Sequence, residues 1–152
     1  MEWFKIDWEG PHTIPASRFQ KTPEAKGDGT YAIYEMHGRQ YVKLLYIGET
    51  FSQTFGQRLK QHERTWLQKV NVAELAVCFG TVYFPYECRR TSERIHDIES
   101  FLINAKAPPY NNVSKRGYTG RHILIFNAGE IGLLQPIMTD DDELMAVLKS
   151  YL

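Results

Sequence analysis

The sequence predicts an α/β (α+β) domain, a small mixed and mainly antiparallel central sheet flanked by helices. Three observations carry this prediction. Aromatic and β-branched runs flank a His37-Gly38 turn, as in a β-hairpin. Two apolar sets, Phe55, Leu59, Trp66 and Val70, then Ile95, Ile98, Leu102 and Ala105, recur at helical spacing. Between them Ala73 to Phe84 is an apolar run of strand length. At 152 residues, 43% of them apolar, the chain is long enough for one core that buries about two-thirds of its unfolded surface. Residues 1–152 are therefore expected to form one domain.

Taken in order, residues 1–28 read as an N-terminal arm. Phe4, Ile6 and Trp8 alternate as one short strand would, and Pro11, Pro15 and Pro23 then oppose regular structure. The hairpin runs from Thr30 to Ile47, with Gly48 ending its second strand. A first helix, from about Thr54 to Val70, carries Arg58 and His62 on its polar face. The run ending at Phe84 reads as a buried central strand holding Cys78 and closed by Pro85. The second helix stops at Pro108-Pro109, because neither proline can donate the N–H that a further turn needs. Arg121 to Phe126, an Asn127-Ala128-Gly129 turn and Glu130 to Leu134 predict a second hairpin. Asp140 to Asp142 then start a terminal helix, their charge complementing its dipole. Residues 114–152 then read as a hairpin-and-helix extension.

Composition excludes several classes. Eleven glycines, seven prolines and 24% charged residues are ordinary usage, and no repeat is sustained, so collagen-like, disordered and coiled-coil chains are ruled out. No apolar run approaches the roughly 18 residues of a membrane span, and Glu2 and Asp7 break any signal-peptide pattern. A cytoplasmic protein with no membrane partner is expected. Cys78 and Cys88 lack metal or redox spacing and read as reduced thiols. Net charge is zero, which argues against a nonspecific nucleic-acid coat, yet Arg58 to Arg121 holds eleven basic against six acidic residues, while the tail from His122 holds one against five. A polyanion site on one face fits that gradient; solvated charge fits it as well.

Four polar features are unusual for their positions. Tyr31 and Tyr46 flank the hairpin and could turn both phenols to one face. Arg58 and His62 neighbour each other at i, i+4. Glu99, one residue past Ile98, sits at the edge of an apolar helix stripe. Asn111 and Asn112 follow the Pro-Pro-Tyr stop. His96 and Glu99 also form an H-x-x-E pair, but no second such pair accompanies it.

In order, Gly29-Thr30-Tyr31, Tyr46-Ile47-Gly48, Arg58-Leu59-Lys60-Gln61-His62, Glu99 and Pro109-Tyr110-Asn111 resemble the motifs of the GIY-YIG nuclease family over roughly residues 29–113. That family includes the incision domain of bacterial excision repair, homing endonucleases and some restriction enzymes. The resemblance implies a GIY-YIG-like fold and a metal-dependent endonuclease that hydrolyses DNA phosphodiester bonds with one Mg²⁺ or Mn²⁺. It implies Tyr31 as general base or water-orienting phenol with Tyr46 beside it, Arg58 stabilising phosphorane-like charge, His62 assisting proton movement, Glu99 as the metal ligand, and Asn111 orienting groups near the site. Thr30 stands where the family has Ile, and the hairpin from Tyr31 to Tyr46 is longer than the family's, which makes Tyr34 a rival for the base. A phenol of ordinary pKa is a poor base at neutral pH, and His62 is the obvious helper. Lys60, Lys115 and Arg116 are candidate DNA contacts, with Arg121 beside them; solvated loop charge is the alternative. The acidic tail is a poor groove reader, so specificity is expected to come from a homodimer or a partner protein. Two further readings stay open: a GIY-YIG-fold binding module that does not cleave, and a nuclease component that needs a partner.

Overall fold

The computed structural model describes residues 1–14, 29–51, 53–70, 74–113 and 115–151. Strands β1 (Glu2–Thr13), β2 (Gly29–His37), β3 (Gln40–Thr50), β4 (Leu75–Tyr83), β5 (Ile123–Gly129) and β6 (Ile137–Thr139) form one sheet in the order β3-β2-β4-β1-β5-β6. Every pairing is antiparallel except that of β1 with β5. Among the described residues, helices α1 (Phe55–Glu63), α2 (Ser92–Lys106) and α3 (Asp142–Lys149) pack on the sheet in an α+β fold, with a 3₁₀ turn at Leu67–Lys69.

The sequence patterns follow from how many faces of each strand are covered. Along β2, Tyr31 and Ile33 join a cluster with Phe55 and Leu59 of α1, while Ala32 and Tyr34 join a larger cluster with Ile95, Ile98 and Leu102 of α2. β4 alternates likewise, Val77 and Phe79 against Ala76 and Cys78. Tyr31 to Tyr34 and Ala76 to Gly80 are unbroken apolar runs because both faces are buried there, whereas Thr81 and Tyr83 further along β4 are exposed. β1 buries only Phe4, Ile6 and Trp8 and exposes Trp3, Lys5 and Glu9, hence its strict alternation.

Three expectations are corrected. Residues 1–14 are no arm: β1 lies between β4 and β5, and Gly10 and Pro11 sit at the shift in register between Glu9 and His12, where the ladder is interrupted in any case. Pro15 and Pro23 lie outside the described residues. The first helix ends at Glu63 rather than near Val70, since the Thr65 hydroxyl bonds the carbonyls of Gln61 and His62 and competes with the helical ladder. The second hairpin pairs β5 with β6 rather than with residues 130–134. Asn127 is not a turn residue: its amide oxygen accepts from Trp8 Nε1 at 2.9 Å, its amide nitrogen donates to Gln135 O, and β5 continues along β1 to Gly129. The terminal helix begins within the expected Asp140 to Asp142, capped by Asp141, whose side chain accepts from Leu144 N, and the second helix is capped by Thr91, whose side chain accepts from Arg94 N. Among the described residues no helix is long and apolar enough to cross a membrane.

Candidate functional site at the β3 edge

Tyr31 pairs across the hairpin with Gly48, and a Cβ at Gly48 would overlap the Tyr31 phenol. Glycine here lets the ring lie flat over β3. Tyr46 shares that face, its ring centroid 6.0 Å from that of Tyr31 and nearly parallel to it. Helix α1 closes over both rings. It starts from a capping box in which the Thr54 hydroxyl accepts from Gln57 N and the Gln57 side chain accepts from Thr54 N. Phe55 and Leu59 anchor it to the sheet, and its repeat brings His62 one turn beyond Arg58, into the same interior.

A chain of hydrogen bonds results. The Tyr31 hydroxyl lies 2.5 Å from His62 Nε2, and Trp66 Nε1 donates to His62 Nδ1 at 2.8 Å. Trp66 is held between Tyr46 and Tyr110, stacking on the latter at 4.8 Å. Arg58 is steadied by a 2.6 Å bond from Nη1 to Gln61 Oε1, and its guanidinium faces both phenols. Among the described residues it makes no ion pair.

Tyr46 and Arg58 border a cleft of about 530 Å³, walled also by Glu49, His96 and Glu99 together with residues of the β3–α1 connection, with Tyr31 and His62 buried behind them. Glu99 belongs to α2, which covers the other face of the sheet. It reaches the cleft because β3 is an edge strand, around which the two faces meet. Strand alternation sends Tyr46 towards α1 and its neighbours Ile47 and Glu49 towards α2. Asn111 seals that edge: its amide accepts from Ile47 N at 2.9 Å and donates to Ile47 O at 2.7 Å, as a neighbouring strand would. It fixes the backbone between Tyr46 and Gly48.

Burial dominates the electrostatics. It raises the Tyr31 phenol well above its ordinary pKa of 10, aided by Tyr46 and opposed by Arg58, and it raises Tyr46 as well. Burial and then the Arg58 charge push His62 down to about 4, so the imidazole is neutral at physiological pH. Glu99 is pushed up to about 8 by burial and by Glu49 across the cleft, and Glu49 is raised in turn by its own burial.

Of the residues singled out in the sequence, Tyr31, Tyr46, Arg58 and His62 meet around α1, and Glu99 faces Arg58 from the opposite wall. Tyr34 does not join them: it is buried on the α2 face and donates a long 3.4 Å bond to Ile131 O. Lys60 is half-buried on α1, Arg116 is exposed, and Lys115 Nζ donates to Pro109 O at 3.3 Å. Arg121 is committed to Asp97 at 2.7 Å and to Glu93 at 3.2 Å. His96 is exposed at the cleft wall and lies 3.3 Å from Ser100 Oγ.

Two residues escaped the sequence reading. Glu49 was hidden because a charge at a strand end reads as solvated; the signal was its alternation with Tyr46, which aims it at α2. Trp66 reads as core at helical spacing, yet it stands at i+4 from His62. Among the described residues no group of three or more His, Cys, Asp or Glu gathers into a ligand set, so Glu49 and Glu99 are the anionic donors of this cleft. No family model, curated protein or solved structure matches the chain.

Proposed function

We propose that the protein is a metal-dependent endonuclease of GIY-YIG type that hydrolyses DNA phosphodiester bonds. The observation that supports this reading is the convergence of a phenol, a guanidinium and a carboxylate, Tyr46, Arg58 and Glu99, on one cleft, with the Tyr31 phenol and the neutral His62 imidazole buried directly behind Tyr46 and Arg58. A phosphodiester hydrolase needs a fixed positive charge for the phosphoryl oxygens, a cation ligand and groups that handle protons. Arg58 supplies the first. Its planar fork can bind two phosphate oxygens, and among the described residues no carboxylate ion pair competes for it.

The donor set also suits a hard divalent cation. Glu49 Oε2 is buried without a hydrogen-bond partner, and Glu99 keeps its proton near neutral pH because burial, and then Glu49 across the cleft, raise its pKa to about 8. One or two carboxylates completed by water and substrate phosphate are the usual protein share of a Mg²⁺ site. Glu99, with Glu49 beside it, would hold the ion. When bound, Mg²⁺ or Mn²⁺ would supply Lewis-acid stabilisation of the leaving oxygen. The chain's own work lies elsewhere: Arg58 grips the phosphate, Tyr46 presents a hydroxyl at the cleft wall, and His62 holds Tyr31 in register behind it.

DNA affinity in this reading is modest. Arg94 and Arg121, two cations of the basic middle, are spent on Glu2, Glu93 and Asp97. Binding of short duplexes is expected to be weak and to vary shallowly with salt, because few phosphates are neutralised; a steep log–log slope in a salt titration would mean a larger basic surface. The direct test is nicking of supercoiled plasmid with Mg²⁺ or Mn²⁺ by the native chain, Arg58→Ala and Glu99→Ala. Metal-dependent nicking reduced at least about 100-fold in both variants is expected. A folded native chain that binds DNA without cutting it would favour a binding module, and activity that appears only with an added protein would favour a partner-dependent component.

A further inference from the structure

His62 stands between one partner whose role is fixed by chemistry and one whose role is not. An indole nitrogen can only donate, so Trp66 Nε1, at 2.8 Å, requires a lone pair on His62 Nδ1. A neutral imidazole carries one proton, which must then sit on Nε2 and point at the Tyr31 oxygen 2.5 Å away. We infer that Trp66 fixes His62 as the Nε2–H tautomer, making the imidazole a hydrogen-bond donor to Tyr31 and barring it from acting as the base that removes the Tyr31 proton. Trp66 is thus a positioning residue that sets the direction of the chain.

The consequence reaches the cleft. Arg58, which also faces the Tyr31 phenol, is a donor too, so the Tyr31 oxygen meets two donors and its own proton must go elsewhere; Tyr46 is the remaining phenol facing it. Tyr31 is fully buried, whereas Tyr46 walls the cleft. The hydroxyl offered to a substrate is therefore that of Tyr46, with Tyr31 aligned behind it. The tautomer holds whatever the cleft binds. Its meaning for phosphodiester chemistry rests on the nuclease reading.

The groups facing His62 are Tyr31 from β2, Tyr46 from β3, Arg58 from α1 and Trp66 beyond its end. The test is a long-range ¹H–¹⁵N correlation spectrum of the native, ¹⁵N-labelled protein, with His62 assigned by its loss in His62→Gln. A protonated Nε2 and a bare Nδ1, unchanged from pH 8 to 5, are expected. Trp66→Phe keeps a flat ring between Tyr46 and Tyr110 but removes the donor, so His62 should lose its pure tautomer and take up a proton at higher pH. A native His62 protonated on Nδ1, or one charged at pH 6, would overturn the inference, as would a folded Trp66→Phe protein with an unaltered His62 signal. Because the spectrum needs no substrate, failure of the nuclease reading shows separately, as absent cleavage beside an intact Nε2–H signal.

Discussion

Tyr31 and Tyr34 lie three residues apart on β2, both fully buried, yet they belong to different chemistry. Strand alternation sends Tyr31 under α1, to His62, Tyr46 and Arg58, and sends Tyr34 under α2, against Tyr41 and the loop at Ile131. Burial raises the pKa of both phenols. A perturbed tyrosine is therefore not in itself a sign of function here; what distinguishes the two is a short bond to an imidazole that is itself held by a second donor. The same contrast separates the arginines. Arg94 and Arg121 are neutralised by carboxylates that tie β1 to α2, whereas Arg58 faces a cleft and no ion pair among the described residues claims it.

The contrast can be sharpened by acid. His62 has a folded pKa of about 4 against an ordinary 6.5, so the unfolded chain takes up a proton in that window and the folded chain does not. The stability contributed by the neutral ring is complete above pH 6.5 and is lost as pH falls towards 4, by about 3 kcal/mol. Denaturant melts at pH 7 and pH 4 should show that loss in the native protein and lack it in His62→Gln; equal slopes would mean that His62 titrates as it does in water.

A smaller effect is expected where the Tyr31 ring crosses β3. Gly48→Ala places a methyl group against the phenol, and overpacking of this kind costs about 1–3 kcal/mol. Thermal melts should show the loss, together with a shift in the near-ultraviolet tyrosine signal. An unchanged melting temperature would mean that the ring moves freely and that the Tyr31–His62 geometry is not enforced by the strand.

Much of the fold was legible because patterning reports coverage. The apolar runs Tyr31 to Tyr34 and Ala76 to Gly80 reflect two buried faces, the alternation of β1 reflects one, and the helix starts expected near Thr54 and at Asp140 to Asp142 are met by the side-chain caps of Thr54 and Asp141. What patterning does not encode is which strand lies beside which. The place of β1 between β4 and β5 depends on contacts over a hundred residues apart, such as Trp8 with Asn127, and the local Asn-Ala-Gly turn signal lost to that bond. At the site, residue types on helical spacing were readable, Arg58 with His62 above all. Glu49 and Trp66 were not, because their roles arise only when the β3 edge meets α2 and when the chain bends after Glu63 to set an indole against His62.

Metal-dependent DNA cleavage by Tyr31→Phe and Tyr34→Phe, measured side by side with Mg²⁺ or Mn²⁺, tests most directly whether the chemistry lies on the α1 face. The account predicts a loss of about 10-fold or more in Tyr31→Phe, whose phenol aligns Tyr46 and His62, and native activity in Tyr34→Phe. Equal activity in the two variants, or a loss confined to Tyr34→Phe, would contradict it.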